Sequence, residues 1–362
     1  MLILALLACS DCPDGSTIQD DDLCHTDEDT APSEDTAPDD SDDSGTSDTD
    51  DSGPPGDAGC PAKTSTDTYD AYPVYLAGSD RRFATIQDGI WGAEEGDVVT
   101  VCPGTYLENI DFKGKPITVT SAEGPWVTII DGQGLDSVVT MKNYEPAESI
   151  LQGFTLTNGS AVESRHGGGI YIEWGSPTIR YNVITHNAAA ISGGIYVRNG
   201  GANVHNNIIA WNQATQGGGG IVCTACVGSY RYNTLFENHC KDGPIAEWFW
   251  GIADLVGNVL VSEATKEDKA AIRWMKPRGD DFETGYNLVW PHTVMVDNEE
   301  DAWPDGEGLV WAEAALVDPA NLDFTLSSES PAIDAGPPDD LDPDGSRADL
   351  GAYGGPDGEW PW

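Results

Sequence analysis

Apolar positions in the middle of the chain recur at a long fixed interval rather than at a helical one. Asn182, Asn207, Asn233 and Asn258 each precede a pair of apolar or β-branched residues, at spacings of 25, 26 and 25. Gly153 before Phe154 and Asn287 before Leu288 extend the series by 29 on either side, as if each carried a small insertion. A period near 25 is that of one solenoid coil, whose apolar face is buried only when coils stack. Ile150, Ile179, Val204, Tyr230 and Leu255 stand three places before the register position, and Thr155, Ile184, Ile209, Leu235 and Leu260 two places after it. These are the inward columns the period predicts.

Asn158, Asn187, Asn212 and Asn238 form a second column five residues after the register. Asparagine tolerates left-handed backbone and bonds neighbouring peptide groups, so both columns are read as structural turn ladders. Glycine clusters at Gly167-Gly168-Gly169, Gly193-Gly194 and Gly217 to Gly220 lead into Ile170-Tyr171-Ile172, Ile195-Tyr196-Val197 and Ile221-Val222-Cys223. They recur at coil spacing and lack a following Lys-Ser/Thr, which makes them turns and not phosphate loops. Each coil therefore has three strands, and the chain is expected to be an all-β, single-stranded right-handed parallel β-helix.

Phe83-Ala84-Thr85-Ile86-Gln87, Gly96-Asp97-Val98-Val99, Pro103-Gly104-Thr105-Tyr106 and Lys115-Pro116-Ile117-Thr118-Val119 resemble the opening segment of pectate-lyase-like β-helix proteins. The resemblance implies a short amphipathic helix that caps the first coil. Ser330-Pro331-Ala332-Ile333-Asp334-Ala335-Gly336 and Asp349-Leu350-Gly351-Ala352-Tyr353 are similar to the closing segment of bacterial surface β-helices. That superfamily includes lyases, glycosidases, esterases, adhesins and proteins without activity, so the resemblance implies fold and compartment more than chemistry.

Charge sets the ends apart from the coils. The formal net charge is −45, and residues 11–60 hold eighteen Asp or Glu with no Lys or Arg. Such composition cannot repay ordering entropy, and residues 10–62 are expected to be a disordered acidic linker. The same charge disfavours nucleic acid and binding to anionic lipid by charge. Ahead of the linker, the apolar run Leu2 to Leu7 is too short to span a bilayer. Leu6-Leu7-Ala8-Cys9 resembles a bacterial lipobox, which implies that residues 1–9 are a signal peptide and Cys9 the lipidated residue. The expected organisation is then a β-helix over 63–355 and a tail over 356–362, exported, monomeric and held at an outer membrane or cell surface only by its lipid, with a secreted or periplasmic protein as the alternative. Eight cysteines agree with an oxidising compartment. Cys223, Cys226 and Cys240 lie close enough in sequence for a local disulfide, with a metal site completed by His239 as the lesser reading.

Outward columns are where chemistry is sought. Two residues before the register stand Arg180, His205 and Arg231, a basic stripe with neighbours roughly 4.8 Å apart in stacked strands. Arginine suits uronate carboxylates and histidine proton transfer, while the plainer reading is local pairing with surface carboxylates. Four after the register the column reads Thr157, His186, Trp211, Glu237 and Ser262, with Trp211 a candidate sugar platform aided by Trp174, Tyr171 and Tyr196. Asp340, Asp342 and Asp344 before Gly345, with Asp349 following, have the alternation of a calcium loop but Gly351 where an EF-hand has its bidentate Glu, so the readings are a structural calcium clamp on the last coil or a plain acidic turn. The clustered Asp and His-Gly turn of β-helix glycosidases are absent, and Thr155, Leu156, Thr157 and Asn158 follow Gly153-Phe154 where pectin esterases place an acid. Lys276, Arg278, Asp280 and Asp281 fall in a loop-rich insertion. The favoured function is non-catalytic binding of carbohydrate or another surface partner. A calcium-dependent lyase acting on an acidic polysaccharide is the alternative, and a structural spacer the third reading.

Overall fold

The computed structural model of the protein describes residues 59–60, 72–161, 167–240, 245–249, 251–262, 270–275, 283–291, 294–298 and 306–362. Lys276, Arg278, Asp280, Asp281, Cys9 and nearly all of the acidic linker lie outside the described residues. The coils form a right-handed parallel β-helix with three long sheets. Sheet I runs through Val98–Val101, Thr118–Ser121, Ile150–Gln152, Thr178–Arg180, Asn203–His205, Val227–Arg231, Ile252–Val256 and Glu283–Gly285. Sheet II runs from Gly104–Leu107 through Val183–Thr185 and Ile208–Ala210 to Leu288–Trp290 and Val310–Trp311. Sheet III runs from Ile110–Asp111 through Ile170–Glu173 and Ile195–Arg198 to Val294–Asn298.

The Asn ladder joins these coils at the corner between sheets I and II. The Asn182 amide N–H donates to Asn207 Oδ1 at 3.1 Å, Asn207 to Asn233 at 3.0 Å, Asn233 to Asn258 at 2.9 Å and Asn258 to Asn287 at 2.9 Å. Each ladder Nδ2 also donates to backbone carbonyls, as Asn207 does to Ile179 at 2.8 Å. All five side chains are buried, so these bonds satisfy groups that would otherwise be costly to desolvate.

Register differs from expectation by one residue in the earliest coil of the series. Phe154, not Gly153, stands opposite Asn182, and its N–H donates to Asn182 Oδ1 at 3.1 Å. Leu151 and Leu156 consequently pair with Ile179 and Ile184, replacing Ile150 and Thr155 in the core columns. The corner consists of a left-handed residue followed by the ladder residue. Gly153 (φ 82°) is the former, in series with Tyr181, Asn206 and Tyr232. Likewise Gly159, not Asn158, donates to Asn187 Oδ1 at 2.8 Å and continues the second ladder, while Asn158 takes the left-handed place beside it, where Thr157 had been expected.

Helix α1 (Ile86–Gly92) caps the stack. Thr85 accepts from Asp88 N–H, and the Glu108 carboxylate takes the Ile86 and Gln87 N–H groups at 2.9 and 3.0 Å. Lys115 Nζ donates to the Ile90, Trp91 and Ala93 carbonyls at the other end. Both orphan ends of the helix are thus satisfied from the coils below. Disulfides join Cys60 to Cys102 and Cys223 to Cys226, and Cys240 is also disulfide-bonded.

After Trp311 the chain leaves the stack and returns along the outside of sheet II. It makes an antiparallel pair, Leu316–Asp318 with Asp323–Leu326, and then a series of turns. Outward Val183, Ile208 and Ala210 pack with Phe324 and Ala352, while Val259, Val261 and Leu288 pack with Ala314, Ala332 and Leu350. From Val183 to Leu288 the strands of sheet II are therefore largely apolar on both faces because both are covered there. The strap is stitched to the corner residues. Tyr232 OH donates to Asp340 Oδ2 at 2.5 Å, Asn206 Nδ2 to the Gly354 carbonyl at 2.9 Å, and Gly351 N–H to the Gly257 carbonyl at 2.8 Å. Residues 356–362 belong to the same strap and carry it back to the early coils, where Trp362 Nε1 donates to the Ser121 carbonyl at 3.1 Å.

Candidate functional site

The basic stripe is a real column. Arg180, His205 and Arg231 stand opposite one another at the ends of adjacent sheet I strands. Its charges are unequally disposed. Arg231 is paired with Asp254 at 2.5 Å and lies 3.9 Å from Asp340. His205 is only 11% exposed along its side chain, and burial pushes its pKa below the ordinary value, partly offset by the Asn206 hydrogen bond and by Asp357. Arg180 donates from Nε to Gln152 Oε1 at 2.7 Å and lies 5.3 Å from the Tyr181 ring centre.

The second outward column is mostly taken up by the strap. Trp211 meets Phe236 and the strap's Phe324, each at 5.6 Å between ring centres. His186 is exposed, bonded to Thr185 Oγ1 at 2.8 Å and 5.5 Å from the Trp211 ring. Glu237 lies 3.6 Å from His239. Trp211 therefore serves packing, and its sheet II face is no open platform.

The carboxylates expected to form a calcium loop organise the strap's turns. Asp342 accepts Asp349 N–H at 2.9 Å and Gly355 N–H at 2.7 Å, Asp344 accepts Ser346 N–H at 2.9 Å, and Asp349 accepts Asp334 N–H at 2.8 Å. Burial raises the Asp342 and Asp349 pKa values, and their mutual repulsion adds to that of Asp342. Among the described residues no group of three His, Cys, Asp or Glu side chains is arranged around a metal position.

Sheet III carries a second aromatic arrangement, whose Tyr171 and Tyr196 are buried with Val222 in a cluster on its outer face. Outward Tyr171 and Tyr196 stack at 5.8 Å and 9°. Burial raises the pKa of both, and at Tyr171 the neighbouring Glu173 adds to it. Beyond them, where sheet III turns toward sheet I, Tyr144 and Trp174 stack at 6.4 Å and 28°. They are 72% and 50% exposed, and both have a φ of 62°. Arg198 Nη1 lies 3.5 Å from Glu173 Oε1 alongside. Tyr144 escaped the sequence reading because it falls before the regular repeats; its signal is an aromatic one coil before Trp174.

The model of a family described as "Protein of unknown function (DUF1565)" matches residues 108–261. Among solved structures the chain is similar to the pectate lyase Pel9A, at 14% identity over 76% of this chain and 92% of that one, with a TM-score of 0.31. It is also similar to a pectin methylesterase in complex with a hexasaccharide, at 12% identity over 68% and 94%, with a TM-score of 0.31. No curated protein matches the chain.

Proposed function

We propose that the protein is an exported β-helix, displayed at a cell surface through a lipid on Cys9 and the acidic segment 10–62, that binds carbohydrate without transforming it. The observation that carries this reading is the exposed Tyr144–Trp174 stack. Bulky residues in left-handed backbone cost about 1–3 kcal/mol each, so the corner presents these rings against a conformational penalty. Flat apolar faces of this kind suit the C–H face of a sugar ring, and a partly apolar, exposed patch marks an interaction site. The rings belong to adjacent coils, so a glycan chain would run along the solenoid axis.

Neutralisation of Arg231 by Asp254 and burial of His205 favour binding over proton abstraction at the stripe. The Cys60–Cys102 and Cys223–Cys226 disulfides support export. The test is affinity electrophoresis through neutral and acidic polysaccharides, with ultraviolet absorbance of unsaturated products followed in parallel. Retardation that Trp174→Ala reduces at least ten-fold, without product, supports the reading. Growing absorbance replaces it with the lyase reading, and the absence of retardation on every polymer replaces it with the spacer.

A further inference from the structure

Arg180, unlike Arg231 in the same column, has no carboxylate within ion-pair distance among the described residues of this chain of net charge −45. Its guanidinium instead bonds the Gln152 amide oxygen and lies by Tyr181, and the Gln152 amide in turn donates to Thr120 Oγ1 at 3.1 Å. An arginine held by a neutral relay keeps its full charge and its free N–H donors for a further anion.

What covers this corner is the last stretch of the strap. Trp360 lies 5.9 Å from Tyr181 and stacks on Trp126 at 6.3 Å and 8°. Trp362 meets Tyr181 edge-on at 6.2 Å, and the Asp357 carboxylate comes to 3.9 Å from His205 Nδ1. Residues 356–362 add no strand, and their bonds are a Gly358-to-Gly355 turn and the two indole N–H groups, to the Ala352 and Ser121 carbonyls. A segment held by ring contacts and few backbone bonds opens at far lower cost than a coil. It also carries two features of a uronate residue, a flat apolar face over an aromatic ring and a carboxylate over a basic column.

We propose that residues 356–362 are an intramolecular plug over a second ligand site, floored by Tyr181 and Trp126 and flanked by Arg180 and His205, which takes the carboxylate of an acidic polysaccharide when the plug lifts. Arginine binds carboxylates through paired N–H donors, and the ring floor receives the sugar face. The site lies at the corner of sheets I and II. The Tyr144–Trp174 surface lies at the corner of sheets III and I, and the two sites are independent.

The experiment is calorimetric titration of the full chain with polygalacturonate, with dextran as the neutral control. Trp360→Ala/Trp362→Ala should bind polygalacturonate at least ten-fold more tightly than the wild type, with dextran unchanged. Adding Arg180→Gln should abolish the gain, and adding Trp174→Ala should leave it, which separates this site from the first. Equal affinity in wild type and double variant, or a gain that survives Arg180→Gln, overturns the proposal. Should the double variant fail to unfold cooperatively, amide exchange in the wild type decides: polygalacturonate at saturation should speed exchange of residues 355–362 at least ten-fold, and unchanged exchange overturns it.

Discussion

Gly153 and Trp362 fill one space: a Cβ placed on Gly153 would come within 2.4 Å of the Trp362 ring. Gly153 also has a φ of 82°, where a side chain is strained. Gly153→Ala is expected to destabilise the protein by about 2 kcal/mol in urea unfolding. In a Trp362→Ala background the same substitution should cost about 1 kcal/mol less, because the collision with the ring is gone and the backbone strain and the 3.2 Å approach to Ser121 Cβ remain.

Interior ladder residues are expected to be far more sensitive than their look-alikes. Asn207→Ala removes the side-chain bonds to Asn182, Ile179, His205 and Asn233 and leaves the Asn182 N–H without its acceptor in a buried corner. A loss of about 3 kcal/mol is expected. Asn158→Gly, at an exposed left-handed position, should be neutral within about 0.5 kcal/mol. Chemical denaturation of both variants checks the contrast.

Trp211→Ala separates packing from recognition. Its ring contacts Phe236 and Phe324 under the strap, so truncation should lower stability by about 3–5 kcal/mol. Polysaccharide retardation under native conditions should remain, whereas Trp174→Ala should show the reverse pair of effects.

His205 gives the stability profile a sign. Burial lowers its folded pKa, helped by nearby Arg180 and opposed by the Asn206 bond and Asp357. The unfolded chain takes up the proton near pH 6.5, before the folded one does. The stability His205 contributes is therefore present above about pH 6.5 and is lost as pH falls toward the folded value. Unfolding free energies of wild type and His205→Gln between pH 7.5 and 5 should converge as the pH drops.

Reduction should loosen the cap. The Cys60–Cys102 bridge closes a separation of 42 residues, for which chain entropy gives about 4 kcal/mol. Cys60→Ser should lower the melting temperature, read by circular dichroism, with the sheet signal retained at low temperature.

The coils were legible because their periodicity is carried by residues with few alternatives. Buried asparagines at two corners and inward Ile, Val and Leu on the strands between them repeat from coil to coil. The slip at Gly153 arose because a left-handed glycine and a ladder asparagine sit side by side, and spacing alone does not say which is which. The strap was written in the sequence in another form. Ile208-Ile209-Ala210 and Val259-Leu260-Val261 are apolar on consecutive positions, and a strand with one face in water would alternate. That cover is what took Trp211 out of the binding column. Which charges would be neutralised was not legible, since Arg180 and Arg231 have the same register position and differ only in facing Gln152 or Asp254.

Most solenoids lengthen or shorten by whole repeats, because each coil touches only its neighbours. The strap removes that freedom. Its anchors fall at Gly257, Tyr232, Asn206 and Ser121, a succession reaching back through much of the stack. An added or deleted coil between them would set Tyr232 against the wrong partner and leave Trp362 short of its seat or past it. The C-terminal segment thus acts as a gauge of how many turns the barrel of coils contains.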